Sequence, residues 1–167
     1  TPWNVNQIED MVFDRQTRQS LNSYLDEVSF HKTWLIGDTD DIYGWWTVDD
    51  QTSIPGCRLQ SDAFQIEDIL DQVRRDHNFD FSPYSRVIIF IPEQHNTDPA
   101  NDCDYAGTSS FGMRNFNLGG SVYTFSYLVM NGQNLDHEEK VLAHEFGHNL
   151  GLRHSNFYNC DYAQIRG

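Results

Sequence analysis

Positive charge is scarce in this chain of 167 residues: 11 lysines and arginines stand against 25 aspartates and glutamates, a net charge of −14. A field of that sign repels phosphate backbones and argues against nucleic-acid binding. Long apolar runs are missing too. None approaches the roughly 18 residues a membrane-spanning helix needs, so no span is expected. Cysteine is sparse. Cys57, Cys103 and Cys160 form no CxxC pair, which argues against a cysteine zinc site. Their odd number leaves one pair and a free thiol, or one cysteine whose partner lies in another piece, and the pairing is open among three choices. No leader-like stretch and no initiator methionine precede Thr1-Pro2-Trp3, so a processed mature form is expected. Repeats and low-complexity tracts are absent.

What the chain does have is aromatic side chains, 14% of its residues. That content argues for a packed core, and the length suits one domain. Leu21, Tyr24, Leu25 and Val28 recur at helical spacing, and the pattern predicts a helix over 15–29. Thr33 to Ile36 and Ile42 to Val48 read as strands, separated by a turn at 37–41 (GDTDD). Pro55-Gly56 marks a loop. A second helix is expected over 62–77, with Asp62 and Gln65 as a capping pair and Ile66, Ile69, Leu70 and Val73 as its stripe. His77 at its end reads as a packing residue rather than a ligand.

Arg86 to Ile91 carries VIIFI, an unbroken apolar run closed by Pro92. Strands covered on both faces read this way, and the preceding helix suits a parallel crossover. The polar loop at 93–104 (EQHNTDPANDCD) offers Asp98, Asp102 and Asp104 as a candidate Ca2+ site. Their spacing matches no EF-hand, and a solvated acidic loop, with His95 on its surface, is the simpler reading. Residues 105–111 suit a short edge strand, Gly119-Gly120 a turn, Tyr123 to Met130 another strand, and 131–134 a loop. Asp136 and Glu139 sit in capping-box positions for a helix from His137 to about Leu150, with Gly151 at its C-terminal cap. The order argues for a mixed α/β layer with a partly parallel sheet.

That last helix carries the chemistry. His144 and His148 are four residues apart, so both imidazoles lie on one face and can reach one metal ion. Glu145 is one step round the helix, placed to act on a metal-activated water without ligating. Gly151 permits a sharp turn, after which His154 supplies a third ligand from outside the helix. Three histidines leave the fourth tetrahedral position open, the arrangement of catalytic zinc. Imidazole also suits copper, nickel and cobalt. Chance histidines on a helix would not account for the glutamate, the glycine and the third histidine at these intervals. Glu145 is the expected general base for hydrolysis of a peptide bond. A substrate peptide is expected to pair as an added strand along 105–111.

HEFGHNLGLRH, from His144 to His154, fits HExxHxxGxxH at every fixed position, so the chain resembles the metzincin clan of zinc endopeptidases. Within the clan it resembles the gametolysin family through NSYLDEVSF at 22–30, KTWLIG at 32–37, GWW at 44–46 and HEFGHNLGLRHSN at 144–156. Matrixins are the second resemblance, through HEFGH and Ser155, although their glycine- and histidine-rich calcium and structural-zinc segment is missing. The resemblance implies an α/β (α+β) catalytic domain over 1–167. Its upper region, residues 1–151, would hold a twisted mixed, mostly parallel sheet over the active-site helix, and residues 152–167 would begin a truncated lower region. It also implies Zn2+ as cofactor and a secreted enzyme acting on extracellular or cell-envelope proteins. Metzincins carry a methionine turn beneath the metal, yet no methionine follows Met130. The turn, and a partner for Cys160, are therefore expected in a C-terminal remainder of the same protein. The rival readings are a zinc-retaining domain that only binds, and an inactive fragment lacking the turn. Retention of Glu145 favours the enzyme, because a binding module needs no general base.

Overall fold

A computed structural model describes residues 3–16, 19–48, 63–92, 106–132, 138–154, 157–159 and 164–166. Asp62 of the expected capping pair, the loop at Pro55-Gly56, all three cysteines, the aspartates of 93–104, His95, Asp136 and His137 lie outside them.

In chain order the elements are α1 (Val5–Val12), α2 (Leu21–Val28), a 3-10 turn (Thr39–Asp41), α3 (Ala63–His77), β1 (Arg86–Pro92), β2 (Gly107–Ser109), β3 (Arg114–Leu118), β4 (Ser121–Gly132), α4 (Glu138–Asn149), β5 (Phe157–Asn159) and β6 (Gln164–Arg166). β4 is the hub of a mixed sheet. It pairs in parallel with β1, from Arg86 opposite Ser126 to Pro92 opposite Gly132. β2 and β3 pair with it antiparallel, and among the described residues β2 lies at the sheet's edge. β5 and β6 form a separate antiparallel pair. Gly119 and Gly120 make the β3–β4 turn, both at positive φ, as the tight hairpin connection demands. No helix among the described residues is long and apolar enough to cross a membrane.

The alternation of strand side chains explains the unbroken apolar run in β1. Ile88 and Phe90 face one core, with Leu128 and Met130 of β4, Trp3, Ile8 and Val12 near the N-terminus, Leu21 and Leu25 of α2, and Leu142 and Phe146 of α4. Val87, Ile89 and Ile91 face the other, with Tyr127 and Val129 of β4, Phe116 of β3, and Ile66, Leu70 and Val73 of α3. The sheet therefore has helices on both faces, and the expected mixed α/β architecture is present.

Several expectations need correction. The helix expected over 15–29 starts only at Leu21. The Ser20 hydroxyl caps it by accepting from the Ser23 amide, and Tyr24 and Val28 from the predicted stripe are exposed. Helix α1 had no counterpart in the sequence reading, although Asn4 and Gln7 form a reciprocal capping box. Strand β3 was likewise missed. Residues 33–36 are not a strand. The side-chain amide of buried Asn22 donates to the Leu35 carbonyl and accepts from the Leu35 amide, so those groups are satisfied without a ladder. Residues 42–48 are irregular too. Trp45 stacks on Trp3 and Trp46 on His77, so this stretch contributes aromatic packing rather than backbone pairing. His77 is thus a packing residue, as expected. Asn131 and Gly132, read as loop, extend β4 to meet Ile91 and Pro92. The strand parallel to β1 comes after it in the chain, so α3 is not the crossover between the parallel pair.

Helix α4 is tied to the N-terminal segment by a buried hydrogen bond of 2.9 Å from the Trp3 indole to Glu138 Oε2. Burial holds the Glu138 pKa above its ordinary value of 4.5, against the lowering effect of the indole bond and with a further rise from Glu139. A carboxylate raised in the folded state costs stability when it ionises. The contribution is fully present below about 4.5 and is lost as pH climbs through the folded value. Glu138→Gln should remove that decline. Thermal unfolding of wild type and variant should coincide at low pH, with the variant melting at least as high at neutral pH. A variant that melts lower at neutral pH would contradict this account.

Candidate metal centre and its surroundings

The buried stripe of α4 is not purely apolar. Leu142 and Phe146 share it with Glu138, Glu145, His148 and Asn149. Buried polar groups are costly unless partnered, and each of these has a partner. Glu138 accepts from Trp3. Glu145 Oε2 accepts from the Ser109 hydroxyl at 2.6 Å. Asn149 donates its amide to the carbonyls of Ser110 and Tyr127 at 2.9 and 2.8 Å. His148 Nδ1 donates to the Leu152 carbonyl at 2.7 Å.

The end of the helix explains how the last of these partners arrives. Gly151, at φ +85°, donates to the His148 carbonyl, and Leu152 donates to that of Gly147, at 2.8 and 3.0 Å. This is the two-bond reversal that a left-handed glycine permits. It brings Leu152 back beside His148 and returns His154 to the helix. His154 Nε2 then lies 3.1 Å from His144 Nε2 and 3.2 Å from His148 Nε2.

Three nitrogens gathered in this way fit a cation. The bond from Nδ1 of His148 to Leu152 makes its Nε2 an acceptor in the neutral ring. A proton on His154 Nε2 could bridge only one of its two neighbours, whereas a cation satisfies all three. Metal–nitrogen distances of 2.0–2.1 Å in a tetrahedron place ligand nitrogens about 3.3 Å apart, close to the separations here. His144, His148 and His154 are the group among the described residues able to hold a metal ion. His148 is buried, while His144 and His154 are exposed on the open side. Phe111 packs its ring 4.9 Å from that of His148, and the Arg153 guanidinium lies over Phe111.

Beside the histidines opens a cleft of about 370 Å³, lined by Ala106, Gly107, Lys140, Val141, His144 and Glu145. The structure therefore brings together all four residues singled out from the sequence. Sequence reasoning did not single out Gly107, Ser109, Phe111 or the Leu152 carbonyl. The first three lie within the stretch read as an edge strand, and alternation alone would have placed 107 and 109 on one face.

Residues 83–164, just under half of the chain, match the family model described as "Dual-action HEIGH metallo-peptidase". The five letters correspond here to His144-Glu145-Phe146-Gly147-His148, with phenylalanine in the isoleucine position. No curated protein and no solved structure matches the chain. The similarity supports a metallopeptidase, a hydrolase acting on protein, and with the histidine cluster it implies a bound metal.

A side chain at 107 would close the gap between β2 and α4. A Cβ there would lie 2.8 Å from Glu145 Cγ, 2.9 Å from Val141 Cγ1 and 3.1 Å from the Val129 carbonyl. Gly107→Ala should therefore destabilise the fold by about 1–3 kcal/mol, as overpacking does. Urea denaturation would measure it. An unchanged midpoint would mean that the helix is free to move away.

Proposed function

We propose that this chain is a zinc-dependent endopeptidase of the metzincin kind, using Glu145 as general base. The observation that carries the reading is the convergence of the three Nε2 atoms at 3.1 and 3.2 Å beside a buried, hydrogen-bonded Glu145. Glu145 is not among the three converging groups, as a base distinct from the ligands must be. The family similarity over 83–164 supports the same class.

His144, His148 and His154 would hold the zinc, which when bound supplies a Lewis acid that activates water and polarises the scissile carbonyl. His148 is fixed for this role by its bond to Leu152, which keeps the Nε2 lone pair directed outward. Glu145 takes a proton from the attacking water and returns it to the leaving amine. Phe111 walls one side of His148. The substrate peptide would lie along β2, at the edge of the sheet and beside the cleft.

The finer reading rests on the sequence. The gametolysin-like segments at 22–30, 32–37, 44–46 and 144–156 favour that family within the clan, and with it secretion and substrates among extracellular or cell-envelope proteins. The chain would then be one catalytic domain. Its upper region would span residues 1–151 and its lower region would start at 152–167, completed by a C-terminal remainder of the same protein.

Metal analysis and hydrolysis of a mixed peptide library test the proposal together. Wild type should bind one zinc per chain and cleave internal peptide bonds. Glu145→Gln should keep the zinc and lose at least about 100-fold in rate, the usual contribution of a general base. His148→Ala should lose the metal, and a chelator should abolish cleavage by the wild type. Stoichiometric zinc without cleavage would favour the binding-domain or the inactive-fragment reading, and a chain that takes up no zinc would sink all three.

A further inference from the structure

Gly107 and Ser109 are two residues apart on β2, so their side-chain positions share one face of the strand. That face looks at α4. A Cβ at Gly107 would lie 2.8 Å from Glu145 Cγ and 2.9 Å from Val141 Cγ1, closer than ordinary contact. The absence of a side chain at 107 lets the helix approach, and the Ser109 hydroxyl then meets Glu145 Oε2 at 2.6 Å. Ser110 points elsewhere. Its oxygen accepts from the Tyr127 amide at 3.1 Å and donates to the Gly112 carbonyl at 2.9 Å, joining the sheet to the following turn. Two adjacent serines thus serve different partners, and only Ser109 touches the carboxylate.

We propose that Ser109 is the positioning residue for the general base: its hydroxyl holds Glu145 Oε2 and leaves Oε1 to take the proton. The proposal rests on the peptidase reading above. Glutamate has several side-chain torsions, and the last is broad and roughly two-fold. A base must sit within about 2.6–3.2 Å of the proton it removes. Rotation of an unheld carboxylate would spoil that distance without disturbing the metal ligands. A donor fixed to a strand removes this freedom, and a hydrogen bond to an ionised oxygen is among the stronger ones. Because Ser109 faces the helix, its hydroxyl is spent on Glu145 rather than on a substrate in the cleft. Its loss should therefore be felt in turnover and not in binding.

The test uses the full chain loaded with zinc and one quenched fluorescent peptide, selected from a mixed library as cleaved by the wild type. Ser109→Ala should retain one zinc per chain and an unchanged KM, while kcat falls about 10–100-fold, as for other residues that orient a catalytic shell. Ser109→Thr keeps the donor and should recover most of the wild-type kcat. Ser109→Cys keeps the size but weakens the donor, so its kcat should fall between the two. The graded series keeps the proposal testable even if the alanine variant fails to fold. Full kcat in Ser109→Ala overturns the proposal while leaving the peptidase intact. So does a loss shared by the threonine variant, or one that follows zinc content or KM, since each marks a merely structural role. An inactive wild type with one zinc bound overturns the reading of this chain as a peptidase, in favour of a binding domain or an inactive fragment, and the role of Ser109 with it.

Discussion

Four polar side chains are buried along α4, and each needs a partner from a different neighbour. Glu138 finds it in Trp3, Glu145 in β2, Asn149 in the carbonyls of β2's neighbour Ser110 and of Tyr127 in β4, and His148 in the turn that follows. Apolar packing alone tolerates sliding, because one methyl contact replaces another. Buried hydrogen bonds do not, because an unmet group costs about 1–3 kcal/mol. A rotation of the helix by one residue would strand all four at once. The orientation of the histidines is therefore set by the polar members of the buried stripe. Its apolar members, Leu142 and Phe146, supply much of the adhesion to the sheet.

The hub strand explains why the cleft lies where it does. β4 has β3 along its first half, then β1 on one side and β2 on the other along its second half. β2 is only three residues long, and α4 crosses close to it because Gly107 offers no side chain. The edge of the sheet and the histidine-bearing face of the helix thus meet at one place, with Glu145 between them.

Local signals were the legible ones. The stripe of α3, the C-terminal ends of α3 and α4, the Gly119-Gly120 turn, the reversal at Gly151 and the three-histidine cluster all depend on residues within about a dozen positions of one another, the range over which periodicity and capping act. Where a contact far along the chain decides, the sequence misled. Leu35 lies in an apolar run that suits a strand, but the side chain of Asn22 takes both of its backbone groups. Tyr43, Trp45 and Trp46 have strand-like composition, yet they are used against Phe79, Trp3 and His77. The bond between Ser109 and Glu145 spans 36 positions and leaves no periodic trace. Glu145 is legible in the sequence as the candidate base, but only the packing of sheet on helix discloses what holds it.

The reversal at Gly151 has a further consequence for the order in which the centre assembles. All three imidazoles lie between His144 and His154, so a helical turn and its cap suffice to gather them. Closing so short a loop is entropically cheap. The grip on Glu145 waits for a contact of much longer range, made only once β2 is seated on β4 and the helix has docked. On the proposed reading, a nascent or partly unfolded chain could thus hold an ion before Glu145 is in place. Occupancy and competence would then be separate milestones of folding, and the second would belong to the sheet.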